Sequence, residues 1–224
     1  LVSGEALNHS GTATISSANA GSYTITNLAG ITIADGSGGT ASNYTLTGGT
    51  HNFTTNQRPL NATLARQYDG TSNAAGSDLS SFDALQGGET LTLSGSGSAV
   101  NDNVANGISV SSLGTLALIN GTGLASNYSL NSAVINITQR VLSSSGSKAY
   151  DANTNALAAD ITLSNLVSGE TLNHSGTASV SSANAASYTI TNLAGITLAD
   201  NAGLASNYTL TGGTHNFTVN PKVI

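Results

Sequence analysis

The sequence predicts an all-β protein in which small, immunoglobulin-like β-sandwich repeat domains follow one another in tandem as an elongated rod. Three observations carry that prediction. Ser, Thr, Asn and Gly supply half of the 224 residues and charged residues only 7%, against about 25% in an ordinary soluble domain. With 38% hydrophobic residues, the chain lacks the pairing of high charge and low hydrophobicity that keeps polypeptides unfolded. Apolar residues recur at every second position, as in Thr90-Leu91-Thr92-Leu93, Tyr188-Thr189-Ile190-Thr191 and Ile196-Thr197-Leu198, which is the period of a half-buried strand. The chain also repeats itself every 81 to 82 residues, too long a period for one coil of a solenoid and suited to a small sandwich.

Residues 1–56 match 166–220 at 46 of 55 aligned positions with one gap near Thr40. They form the C-terminal part of a repeat unit, because they match 166–220 and contain no counterpart of residues 139–165. Residues 57–138 and 139–220 are complete units, since Gln57-Arg58 recurs as Gln139-Arg140, Gly88-Glu89 as Gly169-Glu170, and Ala125-Ser126-Asn127-Tyr128 as Ala205-Ser206-Asn207-Tyr208. Residues 221–224 begin a following unit. The units abut with no Gly/Ser or Pro-rich spacer, which stiffens an array relative to a flexible linker. Turn pairs such as Asp35-Gly36, Asp69-Gly70, Asn106-Gly107 and Asn120-Gly121 separate the strand runs. No stretch has apolar spacing of three and four over eleven positions without Thr, Ser, Asn or Gly inside, so no helix is expected. Around Gly212-Gly213 the apolar phase slips, and the slip fits either a two-residue hairpin or a bulge in one long strand. The bulge is favoured because the middle unit is two residues shorter there and one topology must serve every copy.

Composition narrows the function. A formal charge of −6 with five basic residues cannot neutralise a phosphate backbone. The longest aliphatic run, Leu116 to Ile119, is far short of a membrane span. With no Cys there are no disulfides, thiolate metal sites or Cys nucleophiles. The chain starts Leu-Val-Ser-Gly-Glu, which reads as a processed product or an excerpt of something longer.

Tyr68-Asp69-Gly70 reads as an inward aromatic at a strand end, followed by an Asp whose side chain bonds the backbone of the next turn. Tyr150-Asp151 recurs one unit later, with Ala152 where the glycine stood. Tyr128 and Tyr208 read likewise as core anchors after a turn. The run Arg66-Gln67-Tyr68-Asp69-Gly70-Thr71, then Leu-x-Gly-Gly-Glu-Thr-Leu-x-Leu-Ser-Gly-Ser-Gly at 85–97, then Ala125-Ser126-Asn127-Tyr128-Ser129-Leu130, resembles the YDG repeat of large bacterial surface exoproteins, filamentous-haemagglutinin-like adhesins among them. The resemblance covers essentially the whole chain. It implies a secreted, β-rich module in tandem along a fibrous adhesin or biofilm-matrix protein at the bacterial cell surface.

Other chemistry is hard to place. The eleven acids are scattered, unlike a convergent catalytic pair, and no Gly-x-Ser-x-Gly elbow occurs. Calcium could stiffen such modules, and Asp102 and Asp35 are the best-placed acids, but Asp-x-Asp-x-Asp and Gly-Gly-x-Gly-x-Asp are both missing. His9 and His51 in the first unit correspond to His174 and His215 in the third, while the middle unit has Leu93 and Ala133 there. This co-occurrence predicts a core-edge pair whose rings touch, ahead of a two-His metal site that lacks further ligands. Ten Asn-x-Ser/Thr tripeptides, among them those at Asn43, Asn52, Asn127, Asn207 and Asn216, arise at about the rate composition dictates and permit glycosylation.

The expected function is a non-enzymatic shaft or spacer in an extracellular bacterial fibre. Its partners are neighbouring repeats, and any glycan or host-surface target is engaged through other regions. One alternative is a carbohydrate- or ice-binding surface of ordered Thr rows. Another is a fibre subunit in which a neighbour's strands complete residues 1–56, as in donor-strand complementation. The four-residue stub at 221–224 is too short to replace the equivalent of residues 139–165, which favours the excerpt.

Overall fold

Segments that alternate β-branched or aromatic residues with Ser and Thr form strands throughout the computed structural model, which describes residues 1–190 and 192–224. The chain is 48% strand and 7% helix. Thr191, the end of the alternating run from Tyr188, lies outside the described residues. Among the described residues the helical pieces are five single 3-10 turns. Three of them, Ala41–Asn43, Ala125–Asn127 and Ala205–Asn207, are one Ala-Ser-Asn motif. Its first N–H donates to Asp35 Oδ1 at 2.7 Å, Asn120 Oδ1 at 2.8 Å and Asp200 Oδ1 at 2.7 Å respectively. A side-chain acceptor one turn upstream thus starts each turn, and the turn delivers the Asn-Tyr pair that follows.

Contact density divides the chain into two compact units, residues 1–60 with 84–92 and 118–131, and residues 61–83 with 93–117 and 132–224. Within the second unit, residues 139–220 form two facing sheets. One has the order Ile161–Ser164, Ser143–Ala149, His215–Asn220, Ala186–Thr189, and the other Asn155–Leu157, Asn173–Ser179, Ile196–Ala199. Ser143–Ala149 runs parallel to His215–Asn220, in register from Ser144↔His215 to Ala149↔Asn220. Ala156, Ala178 and Ile196 from one sheet meet Ile161, Phe217 and Val219 from the other, with Val180 and Ile190 beside them. Each large apolar side chain closed off in this way contributes about 1.5–3 kcal/mol.

The phase slip at Gly212-Gly213 is a bulge. Tyr208–Thr209 pairs parallel with Arg140–Val141, and His215–Asn220 pairs parallel with the continuation of that strand. A hairpin would have reversed the second pairing. The extra residues loop out between the two pairings, and a Cβ on Gly213 would lie 1.8 Å from the Leu142 carbonyl oxygen. In the middle repeat the same strand runs unbroken from Tyr128 to Thr138.

Elsewhere in the second unit the middle repeat buries alternate residues: Ala62, Leu64, Ile108, Ile135 and Ile137. The strand Ala105–Ser112 pairs as far as Ser109 with the strand that holds Val134–Ile137 and from Val110 with Ser96–Ala99, with a shift of register inside each pairing. A strand that serves two sheets is how sandwiches turn a corner.

In the first unit, Asn8–Gly11 pairs with Ile31–Ala34 and Gly21–Thr24 with Asn52–Thr55. These are the registers of the third repeat, where Asn173 faces Ala199 and Tyr188 faces Phe217. The difference lies in cover. Phe53 is 49% exposed while its counterpart Phe217 is 1% exposed. Residues 1–56 have nothing equivalent to the strands Ser143–Ala149, Asn155–Leu157 and Ile161–Ser164 to close that face.

Candidate functional site: the junction between successive repeats

Tyr68 follows the strand Arg58–Gln67, and its backbone N–H donates to Thr138 O at 2.9 Å. Its ring is 4% exposed. Instead of ending in its own repeat, its hydroxyl donates to Glu170 Oε1 of the next one at 2.5 Å. The other carboxylate oxygen, Oε2, accepts the Tyr208 hydroxyl at 2.7 Å. The Tyr208 oxygen in turn accepts the Val167 N–H at 3.0 Å. The two rings meet edge to face, with centroids 5.5 Å apart and planes at 82°, a favourable arrangement for aromatic quadrupoles. Burial, and then the neighbouring carboxylate, push the Tyr208 hydroxyl up to about 12 and raise that of Tyr68 as well. Both effects oppose a phenolate.

Gly70 shows why the motif ends in glycine. Its φ is +74°, and a Cβ there would lie 2.8 Å from Val167 Cγ1 of the next repeat. Backbone conformation and close approach both ask for no side chain. The preceding Asp69 accepts the Thr71 N–H at 3.0 Å and pairs with Arg66. Burial works against its charge, but the Arg66 and Thr71 hydrogen bonds outweigh that and hold its carboxyl below the usual range. Asp151 repeats the turn, accepting the Asn153 N–H at 3.1 Å, and Lys148, 2.9 Å away, holds its carboxyl low. Ala152, in the glycine position, still adopts φ +62°. The turn therefore survives the substitution.

A second contact joins the same two repeats. The Val104 N–H donates to Asn207 Oδ1 at 3.0 Å, and Asn207 Nδ2 donates to Asn103 Oδ1 at 2.9 Å. Asn207 is 1% exposed. The first compact unit contains the same clasp one repeat earlier: the Ala20 N–H donates to Asn127 Oδ1 at 2.8 Å, and Asn127 Nδ2 to Asn19 Oδ1 at 3.0 Å. There Tyr128 donates to Glu89, as Tyr44 does to Glu5, and in each case that hydrogen bond is the main reason the tyrosine hydroxyl is raised. Beside Glu89 and Tyr128 opens a cleft of about 330 Å³ whose other walls include Arg58, Gln86 and Asn19.

Sequence reasoning placed Tyr68, Asp69, Gly70, Tyr128 and Tyr208 but gave no role to Glu5, Glu89 or Glu170, and it read Asn127 and Asn207 as turn residues open to glycosylation, whereas the structure spends both on the clasp. The available signal was spacing, since a Gly-Glu precedes Ser-Asn-Tyr by nearly the same interval in all three copies. Tyr150 is 38% exposed, apart from the buried tyrosines.

The histidines take separate partners. His174, in Asn173–Ser179, has its Nε2–H between the Ala158 and Ile161 carbonyls, both at 3.0 Å. His215, in the other sheet, donates from Nε2 to Leu210 O at 2.8 Å and accepts from Ser144 Oγ at Nδ1, 2.9 Å away. His51 repeats the first of these bonds with Leu46 O at 2.9 Å, while His9 is exposed. His215 and His51 therefore staple the bulge, and the middle repeat, which has no bulge, has Ala133 instead. The rings share no hydrogen bond among the described residues. Nor, among those residues, do three or more His, Asp or Glu gather where they could hold a metal ion. Asp35 instead starts a 3-10 turn, as described above.

The YDG domain profile matches the chain twice in succession, over residues 56–135 and 135–215. No curated protein and no solved structure matches it.

Proposed function

The chain belongs to the YDG domain family, and from that premise we propose that it is a structural spacer: a stiff, non-enzymatic stretch of repeats in a long extracellular bacterial adhesin or matrix fibre. One observation carries the reading. The residues that define the motif are spent on holding one repeat against the next, through Tyr68, Glu170 and Tyr208 on one side and Asn103 and Asn207 on the other. A ligand site would leave such groups open to solvent, whereas here their hydrogen-bonding capacity is used internally. The outward hydroxyls also pair across strands, Ser10 with Thr32 at 2.8 Å and Ser187 with Thr218 at 3.2 Å. That pairing reduces what a Thr row offers a sugar or an ice lattice.

The test is mechanical. Arrays of two, four and six copies of residues 139–220 are surface-tethered with a binding tag at the far end, and the tag's height is measured. A spacer gives height linear in copy number. Growth as the square root, the law for a flexible linker, would overturn the reading, and so would specific retention of a glycan by the untagged chain.

A further inference from the structure

We propose that the face of the last complete repeat formed by Tyr150 and the Asn184–Ala185 loop docks one further YDG repeat placed behind Ile224 in the same polypeptide. That repeat would supply a Gly-Glu carboxylate, a Ser-Asn-Tyr hydroxyl and a Ser-Asn-Tyr carboxamide. The proposal rests on the spacer reading and names the partner of one specific face.

Inside the molecule one junction shows the tyrosine contact and two show the asparagine clasp, and together they define the chemistry. Tyr150 stands where Tyr68 stands one repeat earlier, with the same backbone anchor: its N–H donates to Asn220 O at 2.8 Å, as that of Tyr68 donates to Thr138 O at 2.9 Å. Yet Tyr150 is 38% exposed against 4% for Tyr68, and among the described residues no group bonds its hydroxyl. The loop is equally prepared. The Asn184 N–H donates to Ser182 Oγ at 3.2 Å, and Tyr188 donates to Asn184 O at 2.7 Å. The clasped loop at Asn19 has the same frame, from Ser17 Oγ at 3.1 Å and Tyr23 at 2.7 Å. Ala20 and Val104, whose N–H groups are clasped, are half-buried, while Ala185 is exposed. One loop geometry thus exists with and without its partner, so docking needs little ordering of this side. The occupant is a repeat in cis because Pro221–Ile224 follow Asn220 as Gln139–Leu142 follow Thr138, with no linker. So short a tie gives the tethered partner a high effective concentration.

The experiment appends a second copy of residues 143–224 directly after Ile224, keeping the repeat frame, and compares amide hydrogen exchange with that of the 224-residue chain. Circular dichroism establishes that the appended copy is folded. Docking slows exchange of the Ala185 amide by about tenfold or more, the effect of one added hydrogen bond of ordinary strength. Asn184→Ala and Tyr150→Phe reduce that protection in the extended chain and leave the 224-residue chain unchanged. Equal Ala185 exchange in both chains, with the appended copy folded, overturns the proposal. So does protection that appears in the 224-residue chain as its concentration rises, which would make the partner a second molecule. Linear height growth without Ala185 protection would remove this junction and keep the spacer reading. Protection without linear growth would do the reverse.

Discussion

Glu170 is the residue on which the junction turns, because its two oxygens accept from tyrosines of two different repeats. Glu170→Gln replaces one acceptor with an amide donor and leaves a buried hydroxyl facing it. The expected loss is about 1–3 kcal/mol of unfolding free energy, read from urea denaturation. A change within error would mean the node is incidental. The same node predicts a pH dependence. An unfolded tyrosine titrates near 10, whereas Tyr208 in the fold is pushed up to about 12. Its contribution is fully present below pH 10. Between about 10 and 12 the unfolded chain has already released the proton that the folded chain keeps, so stability falls as pH rises. The part due to Tyr208 is on the order of 2 kcal/mol across that window, and Tyr208→Phe should reduce the decline without abolishing it, because Tyr68 is raised as well. A urea midpoint indifferent to pH from 9 to 12 in the unsubstituted chain would refute this.

At the scale of elements, strands and turns were legible because alternation and Asx-type turns are local physics. Leu91 and Leu93 are buried between exposed Thr90-side neighbours as a period of two requires, and Asp69 caps the turn its sequence suggests. The bulge at Gly212-Gly213 could be favoured over a hairpin only by comparing copies, because direction of pairing is a long-range property. The histidines mark the limit. Their joint presence suggested contact, whereas the Leu210 carbonyl at the bulge and the Ala158 and Ile161 carbonyls at a 3-10 turn explain each one separately. Glu170 and the clasp asparagines were illegible for a related reason: a polar residue bonded one repeat away leaves no local pattern. The turn at Tyr150-Asp151-Ala152 supports a further prediction. Ala152 sits at φ +62°, a conformation that costs an L-residue about 1–2 kcal/mol. Ala152→Gly should therefore stabilise the chain by about 1 kcal/mol, which is a rise of about 2–4 °C in Tm at this chain length. A lowered Tm would show that the alanine methyl makes a contact worth more than the strain.

For the molecule as a whole, the contrast between Phe53 and Phe217 is the most informative comparison, because the two have nearly the same neighbours in sequence. Their strands pair identically, Tyr23 with Phe53 and Tyr188 with Phe217, so pairing alone does not bury the ring. Residues 139–165 supply the cover that Phe53 lacks: Gly146 lies opposite Phe217 in register, and Ala156 and Ile161 join the same core cluster. Placing a copy of residues 139–165 directly ahead of Leu1 would restore that cover in frame, since Leu1-Val2-Ser3-Gly4-Glu5 then follows as Leu166-Val167-Ser168-Gly169-Glu170 does. The added segment also brings a Tyr-Asp-Ala tyrosine, and the 330 Å³ cleft beside Glu89 and Tyr128 is large enough to take its ring. Two effects are expected together. Amides of Gly21–Thr24 and Asn52–Thr55 should exchange more slowly, with a gain of about 1.5–3 kcal/mol for each large side chain newly buried. Replacing the added tyrosine with Phe should remove part of the gain while leaving Phe53 covered, because the hydroxyl serves Glu89 and the ring serves packing. Unchanged exchange in both strands, with the added segment present and soluble, would show that residues 1–56 hold their conformation independently of that cover.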